Sequence, residues 1–177
     1  SHDGIAVGSP KWTQDSATVD VKIVNVDDPS LWKTTNTIWR PSDESFRITG
    51  VAPTDQAMVG SWVCNVGATK RVLGHGGGES CGTLTSIDGE AGSWKSPSWD
   101  QMGVATYESC SGDSGGPVFS PSTHRAFGWN RGRNIVTGNT CDTGGSGGVE
   151  VMFTWIANGL AAANAGTLRR YSVLTAP

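Results

Sequence analysis

Ser109-Cys110-Ser111-Gly112-Asp113-Ser114-Gly115-Gly116-Pro117-Val118 encloses Ser114 between Gly112, Gly115, Gly116 and a proline. Glycine tolerates positive φ and admits close approach of another chain segment, so Ser114 is expected on a tight turn with its Oγ exposed. On such a turn the amides of Gly112 and Ser114 can converge on one point, as a developing oxyanion requires. A hydroxyl nucleophile beside two fixed donors is half of an acyl-transfer site.

The remaining composition sets bounds on that reading. The chain has 177 residues, enough for one domain or one and a half with a sizeable core. Its 25 glycines, sparse charge (16%) and dispersed turn formers point to an all-β chain of many short strands. A formal net charge of −3 without Lys/Arg runs argues against a nucleic-acid partner. No apolar run approaches the roughly 18 residues of a membrane span, so no membrane partner is expected. The start of the chain does not read as a signal peptide, which implies a mature chain or a processed piece. Gly144-Gly145-Ser146-Gly147-Gly148 has no following Lys-Ser/Thr and is not a phosphate cradle; no cofactor is expected. Cys64, Cys81, Cys110 and Cys141 show no CxxC spacing and no histidine at ligand spacing, so no metal is expected either. Two disulfides in an oxidising compartment fit better, with three pairings open on sequence alone. Each bridge contributes about 3 kcal/mol in the chain-entropy account.

Along the chain, Ser16 to Val26 reads as a strand with Val19, Val21 and Ile23 on one side and Asp20 and Lys22 on the other. Asp27-Asp28-Pro29-Ser30 ends it, and the polar Pro41-Ser42-Asp43-Glu44 separates Trp39 from a short strand, Phe46 to Gly50. Ala91 to Gln101 reads as a surface loop leading into Val104-Ala105-Thr106-Tyr107. Val149 to Phe153 is the last strand, and Thr154 is placed to cap a helix over Trp155 to Ala163 that turns Trp155, Ile156 and Leu160 inward.

The run from Ser109 to Val118 resembles the GDSGGP nucleophile loop of chymotrypsin-like serine proteases. Val59 to Gly67 and Cys81 to Ile87 resemble paired strands of the C-terminal barrel in the streptogrisin-type actinobacterial branch. The resemblance covers about Met58 to Ala163 and is faint before it. It implies a chymotrypsin-like double β-barrel with the C-terminal barrel complete, the N-terminal one partial, and a short C-terminal helix. The implied organisation is 1–57 for the remainder of the N-terminal barrel with an insertion, 58–167 for the C-terminal barrel and helix, and 168–177 for an extension. It also implies the disulfides Cys64 to Cys81 and Cys110 to Cys141, secretion, and a zymogen form.

The same resemblance assigns roles. Ser114 is the nucleophile, and the Gly112 and Ser114 amides form the oxyanion hole. Asp3, just before the apolar Ile5-Ala6-Val7, resembles the acid of a triad whose chain order is His, Asp, Ser. The family's histidine lies upstream of that acid, in a segment this sequence does not contain. His2 adjoins Asp3, His75 lies in a glycine-rich run, and His124 follows Ser114 by ten residues. None fits the base, so a second polypeptide carrying the histidine, the N-terminal half of the same precursor, is the expected partner.

Relatives carry an arginine where Asn65 stands, paired with the Asp at the position of Asp113. Asp113 is therefore expected to lack that cation, and to accept from Asn65 or from a freed N-terminal ammonium. Glu108 occupies the base of the specificity pocket, beside Ser109, where an acid selects Lys or Arg. Arg131, Gly132 and Arg133 fall on the substrate-binding wall, where the family has Ser and Gly in place of the two arginines. An arginine there can neutralise Glu108, narrow the pocket, or supply an anion site. The expected function is a serine endopeptidase acting on protein or peptide substrates, with a preference for Arg or Lys before the scissile bond. Two alternatives are a non-catalytic protease homologue that binds a partner through Trp-rich loops, and an α/β-hydrolase. The second predicts a histidine after Ser114 and helices alternating with parallel strands.

Overall fold

The computed structural model of the protein describes residues 8–16, 18–74, 76–89, 100–133, 141–142, 150–167 and 170–175. In chain order, β1 (Pro10–Asp15) and β2 (Asp20–Val24) form one hairpin, and β3 (Thr37–Arg40) and β4 (Asp43–Arg47) a second. After short β5 (Gly50–Val51) come β6 (Trp62–Val66), helix α1 (Ala68–Val72), β7 (Glu79–Gly89) and β8 (Met102–Ala105). Then follow β9 (Ser109–Cys110), β10 (Pro117–Ser120), β11 (Arg125–Arg133), β12 (Cys141–Asp142), β13 (Val151–Trp155) and helix α2 (Ile156–Gly166).

Six of these strands close on themselves. The order β6-β7-β8-β13-β11-β10 is antiparallel at every step and returns from β10 to β6, which leaves the ring no free edge. Strand alternation fills the interior: Val151, Phe153 and Trp155 of β13 point inward to meet Val63, Leu84, Ala105, Val118 and Phe127. Phe127, Phe153 and Trp155 stack at 5.0 to 6.5 Å between ring centroids, and Trp155 Nε1 donates to the Ile87 carbonyl at 3.1 Å.

A second cluster lies outside the barrel. Phe46, Ile48, Phe119 and Ile156 pack there with Ile38, Leu160 and Val173. The β3–β4 hairpin is fixed over this side by Arg40, which bonds Glu79 through Nε and Nη2 and lies over the rings of Phe46 and Phe119. Its reversal occupies Pro41 and Ser42 alone, with the strand resuming at Asp43.

Three sequence expectations change. The strand read from Ser16 to Val26 is confined to β2, and its partner β1 was not anticipated. The indole of Trp12 in β1 lies against Gly166 of α2, so a tertiary contact and not local alternation holds that strand. Thr154 does not cap α2. It belongs to β13 and its hydroxyl donates to Met102 Sδ at 3.9 Å, while Trp155 takes the N-cap position in extended conformation without a side-chain cap bond. The strand read at Phe46 to Gly50 is divided between β4 and β5.

Gly128 sits opposite Trp155 where β11 pairs with β13. A Cβ there would stand 1.9 Å from the Thr154 carbonyl oxygen, which is backbone and has no room to retreat. Gly128→Ala is therefore expected to destabilise the barrel by at least about 2 kcal/mol, measured as a lowered urea midpoint at unchanged m-value.

Candidate active site

The Ser114 loop leaves β9 at Cys110 and enters β10 at Pro117. Gly112 and Gly115 both take positive φ, +97° and +85°. The demand at Gly112 is steric as well, because a Cβ there would meet Thr69 Oγ1 at 2.4 Å. Within the loop Asp113 N donates to Cys110 O (3.0 Å), Gly116 N to Asp113 O (3.0 Å) and Gly115 N to Asn130 O (2.7 Å). Among the described residues, the amides of Gly112 and Ser114 donate to no acceptor. Ser114 is exposed, and its Oγ donates to the Arg131 carbonyl at 3.2 Å.

Asp113 points the other way and is 1% exposed. Its Oδ1 accepts from the amides of Thr69 (2.9 Å) and Lys70 (3.3 Å), and its Oδ2 from the Cys110 amide (2.9 Å). The expectation that it lacks a cation, relying on Asn65 or a chain terminus, is corrected by Lys70. The Lys70 ammonium lies 4.0 Å from Asp113 Oδ2, and both side chains are wholly buried. Asn65 serves the cation instead of the carboxylate: its Oδ1 accepts from Lys70 Nζ at 2.8 Å and its Nδ2 donates to Pro117 O at 3.1 Å. Lys70 also donates to the carbonyls of Glu108 (2.9 Å) and Asn65 (3.3 Å). Burial pulls the Lys70 ammonium down to about 8, against the upward pull of Asp113, Glu108 and Glu79.

The β9 side of the loop is tied down by a buried polar chain. Tyr107 donates through its hydroxyl to Asn130 Oδ1 (3.2 Å), and Asn130 Nδ2 donates to Ser109 Oγ (2.9 Å). Burial holds the Tyr107 phenol well above its ordinary range, with the Asp113 charge adding to the effect. The Glu108 amide donates to Ser80 Oγ at 2.7 Å. Its carboxylate stands beside the Cys110–Cys141 disulfide, with ligand atoms within 4.8 Å of both sulfurs. The other disulfide is Cys64–Cys81, with Glu79 similarly beside it. Both groupings contain oxidised sulfurs, which are not thiolate ligands.

Arg131 is claimed by the β1–β2 hairpin. Its Nη2 donates to Asp15 Oδ1 (2.7 Å) and to the Ser16 carbonyl (2.8 Å), and its Nε lies 3.8 Å from Asp20 Oδ2. Burial lowers the Arg131 guanidinium, partly offset by Asp20 and Asp15; burial raises Asp20, against the lowering effect of Arg131. Ser114, Arg131, Asp20, Trp129 and Leu160 line a cavity of ≈ 400 Å³ between the hairpin, β11 and α2. Gly132 pairs with Met152 just after a bulge in β11. The Arg133 side chain, Asp3, His2 and His75 lie outside the described residues, as does the Gly144 to Gly148 run. His124 is stacked on Phe46 at 4.3 Å and its Nδ1 contacts the Arg47 carbonyl at 2.8 Å, so it belongs to the outer cluster and not to this cavity.

The architecture is similar to that of several solved structures. Chymotrypsin from Cellulomonas bogoriensis matches with a TM-score of 0.65 at 21% identity, over 89% of this chain and 73% of that one. Protease A of Thermobifida fusca gives 0.64 at 23% identity, over 90% and 70%. A glutamic-acid-specific serine protease that uses a histidine triad in substrate binding gives 0.69 at 21%, over 93% and 75%. This chain has the chymotrypsin fold. No protein-family model and no curated protein sequence matches it. Within the chymotrypsin fold, the residue that sequence reasoning missed is Lys70. Nothing local marks it out: it stands beside a second basic residue, Arg71, in the short segment Gly67 to Leu73.

Truncating Asn65 removes the acceptor nearest the buried ammonium. Asn65→Ala is expected to cost about 1–3 kcal/mol in chemical denaturation, more than a surface substitution does. Unchanged stability would exclude the Asn65–Lys70 bond.

Proposed function

We propose that the protein is the nucleophile-bearing part of a secreted chymotrypsin-like serine endopeptidase. The observation that carries this reading is the Ser114 loop: an exposed hydroxyl between two left-handed glycines, with the Gly112 and Ser114 amides unengaged and Asp113 anchored beneath them.

In this reading Ser114 Oγ attacks the substrate carbonyl, its proton passing to a histidine base, while the Gly112 and Ser114 amides receive the oxyanion. The C–N bond then breaks, the amine departs with that proton, and water hydrolyses the acyl-enzyme. Asp3 orients the base. These roles are those of a Ser-His-Asp triad. Among the described residues the cavity beside Ser114 is lined by no histidine, and in this reading the base is supplied by a partner, the N-terminal part of the same precursor. The two disulfides support an extracellular site of action.

For specificity, Glu108 at the floor of the pocket favours Arg or Lys before the scissile bond. Asp15 and Asp20 occupy the Arg131 guanidinium, which supports this charge assignment. The alternative of a non-catalytic homologue is kept apart by kinetics. In material containing the histidine-bearing segment, Ser114→Ala is expected to lower kcat about 10⁶-fold. In the same assay Glu108→Gln is expected to reduce kcat/KM for Arg over Leu substrates by about 10- to 100-fold. Equal cleavage of both substrate types by the parent protein would remove the basic preference, and activity surviving in Ser114→Ala would remove the nucleophile.

A further inference from the structure

The hairpin that faces Ser114 carries a fault in its own ladder. Asp15 and Asp20 stand opposite each other as the last rung before the turn, and like charges so placed push two strands apart. Among the described residues β1 and β2 pair only with each other, and a two-stranded ribbon is marginal by itself.

The correction comes from β11. The Arg131 side chain, 2% exposed, reaches both strands and the turn between them: Nη2 donates to Asp15 Oδ1 at 2.7 Å and to the Ser16 carbonyl at 2.8 Å, and Nε lies 3.8 Å from Asp20 Oδ2. The side chains of the two acids are 71% and 51% exposed, so they can turn to water while the guanidinium cannot. The turn is closed by Ser16, whose amide and hydroxyl both donate to the Val19 carbonyl.

Away from its tip the hairpin rests on α2, where Trp12 lies against Gly166. Between these two attachments the packing is open, because Asp20 to Ile23, Trp129 and Leu160 border the cavity of ≈ 400 Å³ rather than one another. Close apolar contact therefore does not hold the tip, and the ion cluster does. The backbone of the same arginine is committed to Ser114, whose Oγ donates to the Arg131 carbonyl.

We propose that Arg131 is a positioning residue, an ionic latch that neutralises the Asp15–Asp20 rung and seats the hairpin tip at a set distance from Ser114, and that breaking the latch opens the hairpin while the barrel stays closed. Its consequence for catalysis rests on the reading of Ser114 given above, in which the base enters the cavity that the hairpin walls; the latch itself does not rest on that reading.

Amide exchange followed by NMR reads the latch without substrate or base. Gln14 and Val21, the next rung, report on the hairpin, and Leu84 and Phe153 report on the barrel. Arg131→Met is expected to speed exchange at Gln14 and Val21 about tenfold or more and to leave Leu84 and Phe153 unchanged. Asp15→Ala, at an exposed position, is expected to act in the same direction in the parent protein, and it carries the test should Arg131→Met not fold. Within Arg131→Met the sign reverses: removing Asp15 there relieves its repulsion of Asp20, so the added Asp15→Ala slows exchange. A merely supporting arginine gives no such reversal. In the assembled two-part enzyme, with an arginyl p-nitroanilide as probe, Asp15→Ala is expected to lower kcat about tenfold at unchanged KM, since the latch sets the surroundings of Ser114 and not the grip on the substrate. Exchange at Gln14 and Val21 that is unmoved in both single variants, or a hairpin that opens with kcat unmoved, would overturn the proposal. A latch that opens and reverses as described, in an assembly that hydrolyses nothing, would instead count against the protease reading alone.

Discussion

The structure around Ser114 depends on one buried carboxylate. Asp113 is almost wholly enclosed, and an uncompensated charge there would cost several kcal/mol. It is compensated by three backbone amides and by Lys70, and each compensation constrains a different element. The Thr69 and Lys70 amides place α1 beneath the loop, the Cys110 amide fixes the end of β9, and the ammonium draws in β6 through Asn65. The glycines follow from the same constraint. Gly67 must lack a side chain because a Cβ there would lie 2.1 Å from the Asp113 carboxyl carbon, and Gly112 because Thr69 stands against it.

This core reached the surface chemistry through the barrel. A closed ring of six strands gives β10 and β11 fixed positions, and the loop between β9 and β10 returns to β11 through the reciprocal bonds of Asn130 with Gly115 and Gly116. Ser114 is thereby held at the Arg131 carbonyl, while the Arg131 side chain reaches the opposite way to Asp15 and Asp20. Arg131 thus links Ser114 to the hairpin that precedes the barrel. The cavity enclosed between them is where a base has to enter for the chemistry proposed above.

Much of this was legible in the sequence because it rests on local signals. The Ser109 to Val118 run shows its turn through its glycines, and the alternation in β13 and the apolar face of α2 follow from simple periodicity. What was not legible came from tertiary contacts. β1 exists because Trp12 finds Gly166, the N-terminus of α2 is set by the end of β13 and not by a hydroxyl cap, and Lys70 reads as an ordinary surface lysine until the fold closes over it. The guanidinium of Arg131 was assigned to the pocket for the same reason: nothing in its neighbours announces Asp15 and Asp20, which lie more than a hundred residues away in the chain.

The central claim is that Ser114 is a nucleophile in an assembled two-part enzyme. Its most direct test is intact-mass spectrometry of purified material, native and then denaturing, after exposure to a fluorophosphonate. The account predicts a dissociable second polypeptide bearing a histidine, and a single phosphonyl adduct on the 177-residue chain that peptide mapping places at Ser114. An assembled, histidine-bearing complex whose Ser114 remains unmodified would contradict it.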